Sequence, residues 1–359
     1  MSAVHASTTQ AGYSRDFGAD DARAIRDAVK KEFGPDLMRS RSWRTIWFLP
    51  MTAVIVGGIA TILLAGLPWY TNLLIALVVG NTLASQALLA HEVLHGALGM
   101  SKRMQYFFGW LGFGPFLMPP EFWQRWHNVA HHAHTNLGDH DPDNFGTMKR
   151  YEKYPHLARF TKLAPGSKTW YSYLFLTYSF IFHGQLVLWL QTRRREEFKG
   201  FNRNKAIVQA MFCLAVWIAL AIISGPLAVF TVLIPLMVAN AIGQGYILTN
   251  HMLRPQMENN HPVDNSMSLR TTWLLDRLHF HFSHHVEHHL FPKMGSDQAP
   301  KVRAWLKREM PNRYACPSHA KAIALLYKTP RVYENPTTLV DPYDKNRRVD
   351  VMALQAELV

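Results

Sequence analysis

Six of the fifteen residues from Leu278 to Pro292 are histidine. Within that run His285, His288 and His289 form the pattern H-x-x-H-H. Residues three and four apart on a helix share a face, so His288 and His289 both stand near His285. Neutral imidazole is the commonest side-chain ligand for transition metals, and three rings from one turn make half of a metal site. Further upstream lie His91-Glu92-Val93-Leu94-His95 and Trp126-His127-Asn128-Val129-Ala130-His131-His132. A spacing of four puts His91 with His95, and His127 with His131, on single helical faces. His132, five residues after His127, is turned away by about 140° on a regular helix. Either the helix ends there or His132 serves a second metal.

The string His91 to His95 also matches H-E-x-x-H, the zinc-protease pattern in which the glutamate is the general base. That chemistry needs one further ligand and one metal, and it leaves the other two clusters without a role. A histidine-rich metal carrier is the non-enzymatic alternative. Isolated histidines (His5, His156, His183 and His319) read as surface or hydrogen-bonded residues, and His279, His281 and His284 are spare beside the third cluster. Eight or nine grouped imidazoles exceed what one zinc can use, so two metals is the economical count.

The elements that must position these groups are apolar helices. Thr45 to Ala90 and Ala206 to Leu253 contain no Asp, Glu, Lys or Arg. Each is about twice the ~20 residues that cross a bilayer and reads as a helical hairpin, with spans near 46–67, 71–90, 206–223 and 227–248. The turns Pro68 to Asn72 and Ser224-Gly225-Pro226 are uncharged, whereas Arg39, Arg41, Arg44, Lys102 and Arg103 flank the first hairpin. Basic residues stay on the cytoplasmic side, so both ends of each hairpin, both termini and all three clusters are expected there. Tyr106 to Met118 is too short to cross. Trp170 to Leu190 is long enough, but basic clusters stand on both sides of it, and crossing would put the second and third histidine clusters on opposite faces. It is therefore expected to be interfacial or re-entrant. The expected fold is an all-α, multi-pass integral membrane protein, with two transmembrane hairpins (four spans) and a cytoplasmic helical cap holding the histidines. The domains read as an N-terminal cytoplasmic segment 1–44, a catalytic domain 45–294 and a cytoplasmic tail 295–359. The first contains an amphipathic helix over Ala19 to Phe33; the last has one near Lys301 to Glu309 and otherwise no functional signal.

A mean hydropathy near zero hides this segregation, and the formal charge of +13 follows largely from it. A basic surface that docks an acidic electron donor or acyl carrier protein is compatible with the same charge. Nothing calls for a nucleic acid. Cys213 and Cys316 suggest no disulfide framework and a reducing compartment, and the polar stretch Met1 to Pro35 predicts no cleaved signal peptide.

The three boxes in order, with the hairpins around them, resemble the membrane fatty acid desaturase/hydroxylase superfamily. The neighbours agree: Ala90-His91-Glu92 through His95-Gly96, His131-His132-Ala133-His134-Thr135-Asn136 followed by Asp141-Pro142-Asp143, and Val286-Glu287-His288-His289-Leu290-Phe291-Pro292. The resemblance covers roughly Thr45 to Met294. It implies that His91, His95, His127, His131, His132, His285, His288 and His289 hold two iron ions. His251, beside Asn250, matches a ninth ligand of some members, although the two residues are adjacent here rather than three apart. Many relatives have Gln where this chain has His285.

Removing hydrogen from an unactivated methylene needs O2 and two electrons per turnover, chemistry that imidazole-bound iron supports while the protein positions the chain. Glu92, Asp141, Asp143, Asn250 and Glu287 are candidates to orient the imidazoles. The expected substrate is an acyl chain on lipid, CoA or acyl carrier protein, entering from the bilayer, with selectivity set by depth. No His-Pro-Gly-Gly haem motif, nucleotide loop or clustered-cysteine pattern occurs, so electrons must come from another protein of ferredoxin or cytochrome b5 type. A hydroxylase or acetylenase outcome fits the same residues.

Overall fold

A computed structural model describes residues 19–257 and 259–359; His5 and the start of the N-terminal segment lie outside the described residues. The amphipathic helix α1 (Ala19–Phe33) forms as its spacing predicts, burying Ala22, Ile25 and Val29. Gly34-Pro35 ends it, because proline cannot donate to a continuing helix. The first hairpin is α2 (Phe48–Leu64) and α3 (Trp69–Leu94). α3 runs four residues beyond Ala90, so the first histidine cluster stands on its last turn rather than after it. α4 (Lys102–Phe113) is a half-length helix laid back against the end of α3. Gly112 permits this: a Cβ there would collide with the Ala90 side chain and the Gln86 carbonyl.

α5 (Phe175–Leu186) continues as a π-helical turn, Val187–Gln191. The second hairpin is α6 (Arg203–Ser224), a π-helical turn Val229–Leu233, and α7 (Ile234–His251). α7 crosses α3 so closely that a Cβ on Gly80 would sit 2.7 Å from the Val238 Cβ. α5 lies along α7, where Asn240 accepts the Ile181 N–H at 3.0 Å. Among the described residues, five segments are long and apolar enough to cross a membrane: Pro35–Leu64, Trp69–Leu94, Trp170–Gln191, Arg203–Leu227 and Val229–His251, of which the third is the least apolar. Leu49, Leu64, Leu74, Val208, Phe212, Ile222 and Ile223 on these helices are exposed. Apolar surface on that scale marks a face made for lipid rather than water.

After α7 come α8 (Trp273–Leu278), α9 (His285–Leu290), α10 (Ala299–Glu309) and α11 (His319–Lys328). The tail then departs from the all-α expectation. β1 (Val332–Asn335), β2 (Thr338–Asp341) and β3 (Asp344–Asp350) form an antiparallel sheet in that order. The strands are short and their burial does not alternate: Val332 and Tyr333 are both covered, as are Leu339 and Val340. The period-two signal that normally reveals a strand is therefore missing. This sheet braces the loop after the second histidine cluster, since the Tyr333 N–H donates to Gly146 and Asn136 Nδ2 donates to the Tyr333 hydroxyl at 3.3 Å.

Candidate metal centre

The end of α3 supplies His91 and His95. The second cluster lies on a π-helix, Gln124–His131, whose N–H groups reach five residues back, and the His132 N–H bonds the His127 carbonyl. That wider turn is why the 140° rotation expected of His132 does not occur. Residues five apart share a face here, and the Nε2 atoms of His127 and His132 are 3.2 Å apart. Two side chains tie this segment to the first cluster: Gln124 Nε2 and Asn128 Nδ2 both donate to the Leu94 carbonyl at the end of α3, at 2.8 and 3.1 Å.

The third cluster rides on α9, which is fixed through Glu287. Its carboxylate accepts from Ser268 Oγ and the Tyr314 hydroxyl at 2.5 Å each and pairs with Arg303, while Ser268 Oγ also accepts the Val286 N–H. His251, at the end of α7, brings its Nε2 to 2.8 Å from His285 Nε2.

All nine boxed or suspected imidazoles converge. His91, His95, His127 and His288 form one group and His131, His251, His285 and His289 another, with the ligand atoms of each group within 4.8 Å of one another. His132 stands between them, its Nε2 3.2 Å from that of His288 and its ring stacked on His289 at 4.3 Å. Within the groups, His91 Nε2 approaches His127 Nε2 at 3.0 Å and His289 Nε2 approaches His285 Nε2 at 3.0 Å. His95 Nε2 is buried and has no hydrogen-bond partner among the described residues. A buried imidazole nitrogen is normally satisfied. Ring nitrogens aimed at one another, one of them orphaned, are a donor set that fits two metal ions.

Electrostatics agree. Burial lowers the pKa of His127, His132, His288 and His289, and neighbouring histidines lower them further, so their lone pairs are free. His131 is the exception. Burial acts to lower it, but Asp141 and Asp143 outweigh this and raise it to about 9. Asp141 Oδ1 lies 3.0 Å from His131 Nδ1, the carboxylate-behind-imidazole arrangement that orients metal ligands.

The remaining candidates for orienting the rings are placed differently. Asp143 lies 3.3 Å from His131 Nδ1 and also accepts from Trp126 Nε1 at 2.9 Å. Glu92 is held by Arg44 at 2.9 Å and by Ser296, and Glu287 by the contacts above; neither bonds a boxed imidazole among the described residues. Asn250 is fully buried, and neither amide atom has a hydrogen-bond partner among the described residues.

Sequence reasoning missed several neighbours. Thr135 Oγ1 lies 3.4 Å from His289 Nδ1, Ser266 Oγ lies 3.3 Å from His251 Nδ1, and Trp123 stacks on His127 at 4.5 Å. His183, read as an isolated histidine, comes within 3.3 Å of Asp143. Only Trp123, four residues before His127, carried a local signal.

A narrow apolar pocket, partly open at its side, borders this centre. Ala84, Ala87 and Leu88 of α3, Ala239, Gly243 and Ile247 of α7, and the rings of Phe113, Phe116, Trp126, Phe180 and Phe282 form its walls. His91, His127, His131, His251 and His285 also line it.

No curated protein matches the sequence at a significant level. The model of the family described as fatty acid desaturase matches residues 67–319, which takes in α3, the whole second hairpin and every imidazole of the centre. The chain therefore belongs to the fatty acid desaturase family.

Proposed function

We propose that this protein is an O2-dependent acyl desaturase whose two imidazole groups hold a pair of iron ions. One observation carries the reading: two four-histidine groups lie side by side against an apolar pocket that imidazoles of both help to line. Bound there, iron would activate O2, which takes the two hydrogens of the methylene pair and two electrons from an external donor and leaves as water. The chain's own residues do the rest. The aromatic walls exclude water and hold the acyl chain extended, and Asp141 keeps His131 oriented. Holding the reacting methylenes beside the centre converts an improbable encounter into an intramolecular one. A lone zinc at His91 and His95 would leave the second group, which buries four imidazoles, without a partner.

We further propose four crossings rather than five. The first and second histidine clusters are joined by α4, which is too short to span. The second and third clusters touch, so an even number of crossings must separate them. Arg203–Leu227 and Val229–His251 account for two, which leaves Trp170–Gln191 at the interface. By the positive-inside rule the centre then faces the cytoplasm, with both termini. Electrons come from an acidic protein donor. In support, Lys102, Arg125 and Lys293 rim an open polar depression that reaches His95, with Glu121 the acid among its lining residues.

The test is expression in a host of known lipid composition, with fatty-acid profiling of wild type against His288→Ala. A new product lacking two hydrogens, absent from the variant, supports a desaturase. A product that has gained one oxygen assigns hydroxylation instead. Purified protein that binds zinc and excludes iron overturns the reading.

A further inference from the structure

We propose a third metal site, separate from the two imidazole groups, formed by Asp276, His281 and His284. The chain turns back on itself between α8 and α9. Phe280 and His281 have φ of 51° and 58°, a left-handed conformation that non-glycine residues adopt only where the surroundings impose it. The turn is closed by the His281 N–H donating to the Asp276 carbonyl at 2.8 Å and the His284 N–H donating to that of His281 at 3.0 Å. Its effect is to aim two rings at one carboxylate oxygen. Asp276 Oδ2 lies 2.8 Å from His281 Nδ1 and 3.3 Å from His284 Nε2, and all three ligand atoms are within 4.8 Å of one another.

Tetrahedral zinc with bonds near 2.0–2.1 Å sets its ligand atoms about 3.3 Å apart; the His284–Asp276 separation equals this, and His281, at 2.8 Å, would move outward by about 0.5 Å to admit the ion. The other carboxylate oxygen, Oδ1, accepts the Ser283 hydroxyl and is thereby oriented. Behind the His284 ring, Nδ1 faces Glu287 at 3.9 Å. That is beyond hydrogen-bond reach, and Nδ1 is buried without a partner among the described residues. The nearby cation, Arg303, is engaged by Glu287 and by the Ser283 carbonyl rather than by Asp276. Asp276 and His281 are each about one-fifth exposed, which gives an ion access and leaves a coordination position for water. Two neutral imidazoles and one carboxylate suit a divalent transition ion of the zinc type and disfavour calcium or magnesium.

The site is distinct from the candidate iron centre although the two are adjacent in sequence. His284 belongs to the Asp276 cluster, whereas the Nε2 of His285 points to His251 and His289. Its role is structural: the ion pins the turn that delivers α9. The assignment does not rest on the proposed reaction.

The test is metal counting on the full chain in detergent. Protein stripped with a chelator is loaded with Co²⁺ or Zn²⁺, desalted and analysed for metal per chain. Asp276→Asn and His281→Gln should each bind one equivalent less than wild type. A content equal to wild type overturns the site. A loss greater than one equivalent also overturns it, because the substitution has then disturbed the neighbouring histidine groups. If Asp276→Asn does not fold, His281→Gln, on the more exposed ring, decides alone.

Discussion

His127 and His132 face the same point because the backbone between them is π-helical, which brings their Nε2 atoms to 3.2 Å. His132 thereby sits between the groups, its Nε2 3.2 Å from that of His288 and its ring stacked on His289 at 4.3 Å. Replacing it with alanine should lower iron content by about one equivalent per chain and reduce turnover by more than ~100-fold, beyond the usual cost of losing an outer partner. Iron analysis and product profiling of His132→Ala check this. Wild-type iron content in the variant would contradict it.

Arg44 is buried and joins three distant segments. Its Nη1 pairs with Glu92 at 2.9 Å and with Asp297 at 2.6 Å, and its Nη2 donates to Ser296 at 2.9 Å. Removing one partner of a buried ion pair leaves uncompensated charge, so Arg44→Ala should destabilise by about 3–5 kcal/mol. Arg39 is an exposed control, paired only loosely with Asp36 at 3.9 Å. Arg39→Ala should leave the melting temperature in detergent unchanged, and equal melting of the two variants would refute the assignment.

His261 sits against Asp264, Asp21 and Arg313. Burial lowers its pKa, with Arg313 adding to the effect and the two aspartates opposing it. The folded state thus holds His261 neutral below the ordinary histidine value of about 6.5, where the unfolded chain takes up a proton. Its contribution is full above about pH 6.5 and is lost as pH falls towards the folded value. Wild type should lose more stability between pH 7.5 and 5.5 than His261→Asn does, measured by thermal unfolding at both pH values.

Gly243 faces the apolar cavity, and a Cβ there would meet only the Phe180 ring at 3.9 Å. Gly243→Leu should fold normally, since leucine favours the helix over glycine by about 1 kcal/mol. It should also shorten the chain that fits. Loss of product from long acyl chains with an unchanged melting temperature is the expected result; unchanged chain-length selectivity would show that the substrate lies elsewhere.

Much of this arrangement is legible in the sequence because it rests on regular periods. Turn-of-helix spacing identifies His91 with His95, and charge-free runs locate both hairpins, but the equally spaced His127 and His131 fall in different groups. Departures from regularity stay hidden. A π-helix has no propensity signature, so His132 reads as misdirected. Arg44 looks like one more flanking charge that fixes topology, because its partners Glu92 and Asp297 are 48 and 253 residues away. The tail strands bury consecutive residues and so lack alternation.

Each imidazole group draws on both ends of the catalytic region: the first needs His91 and His288, the second His131 and His289. A nascent polypeptide made only as far as His251 therefore owns parts of two nests and the whole of neither. Neither group has its full set of ligands until the ribosome has passed His289, so whichever metal fills them must arrive after that point.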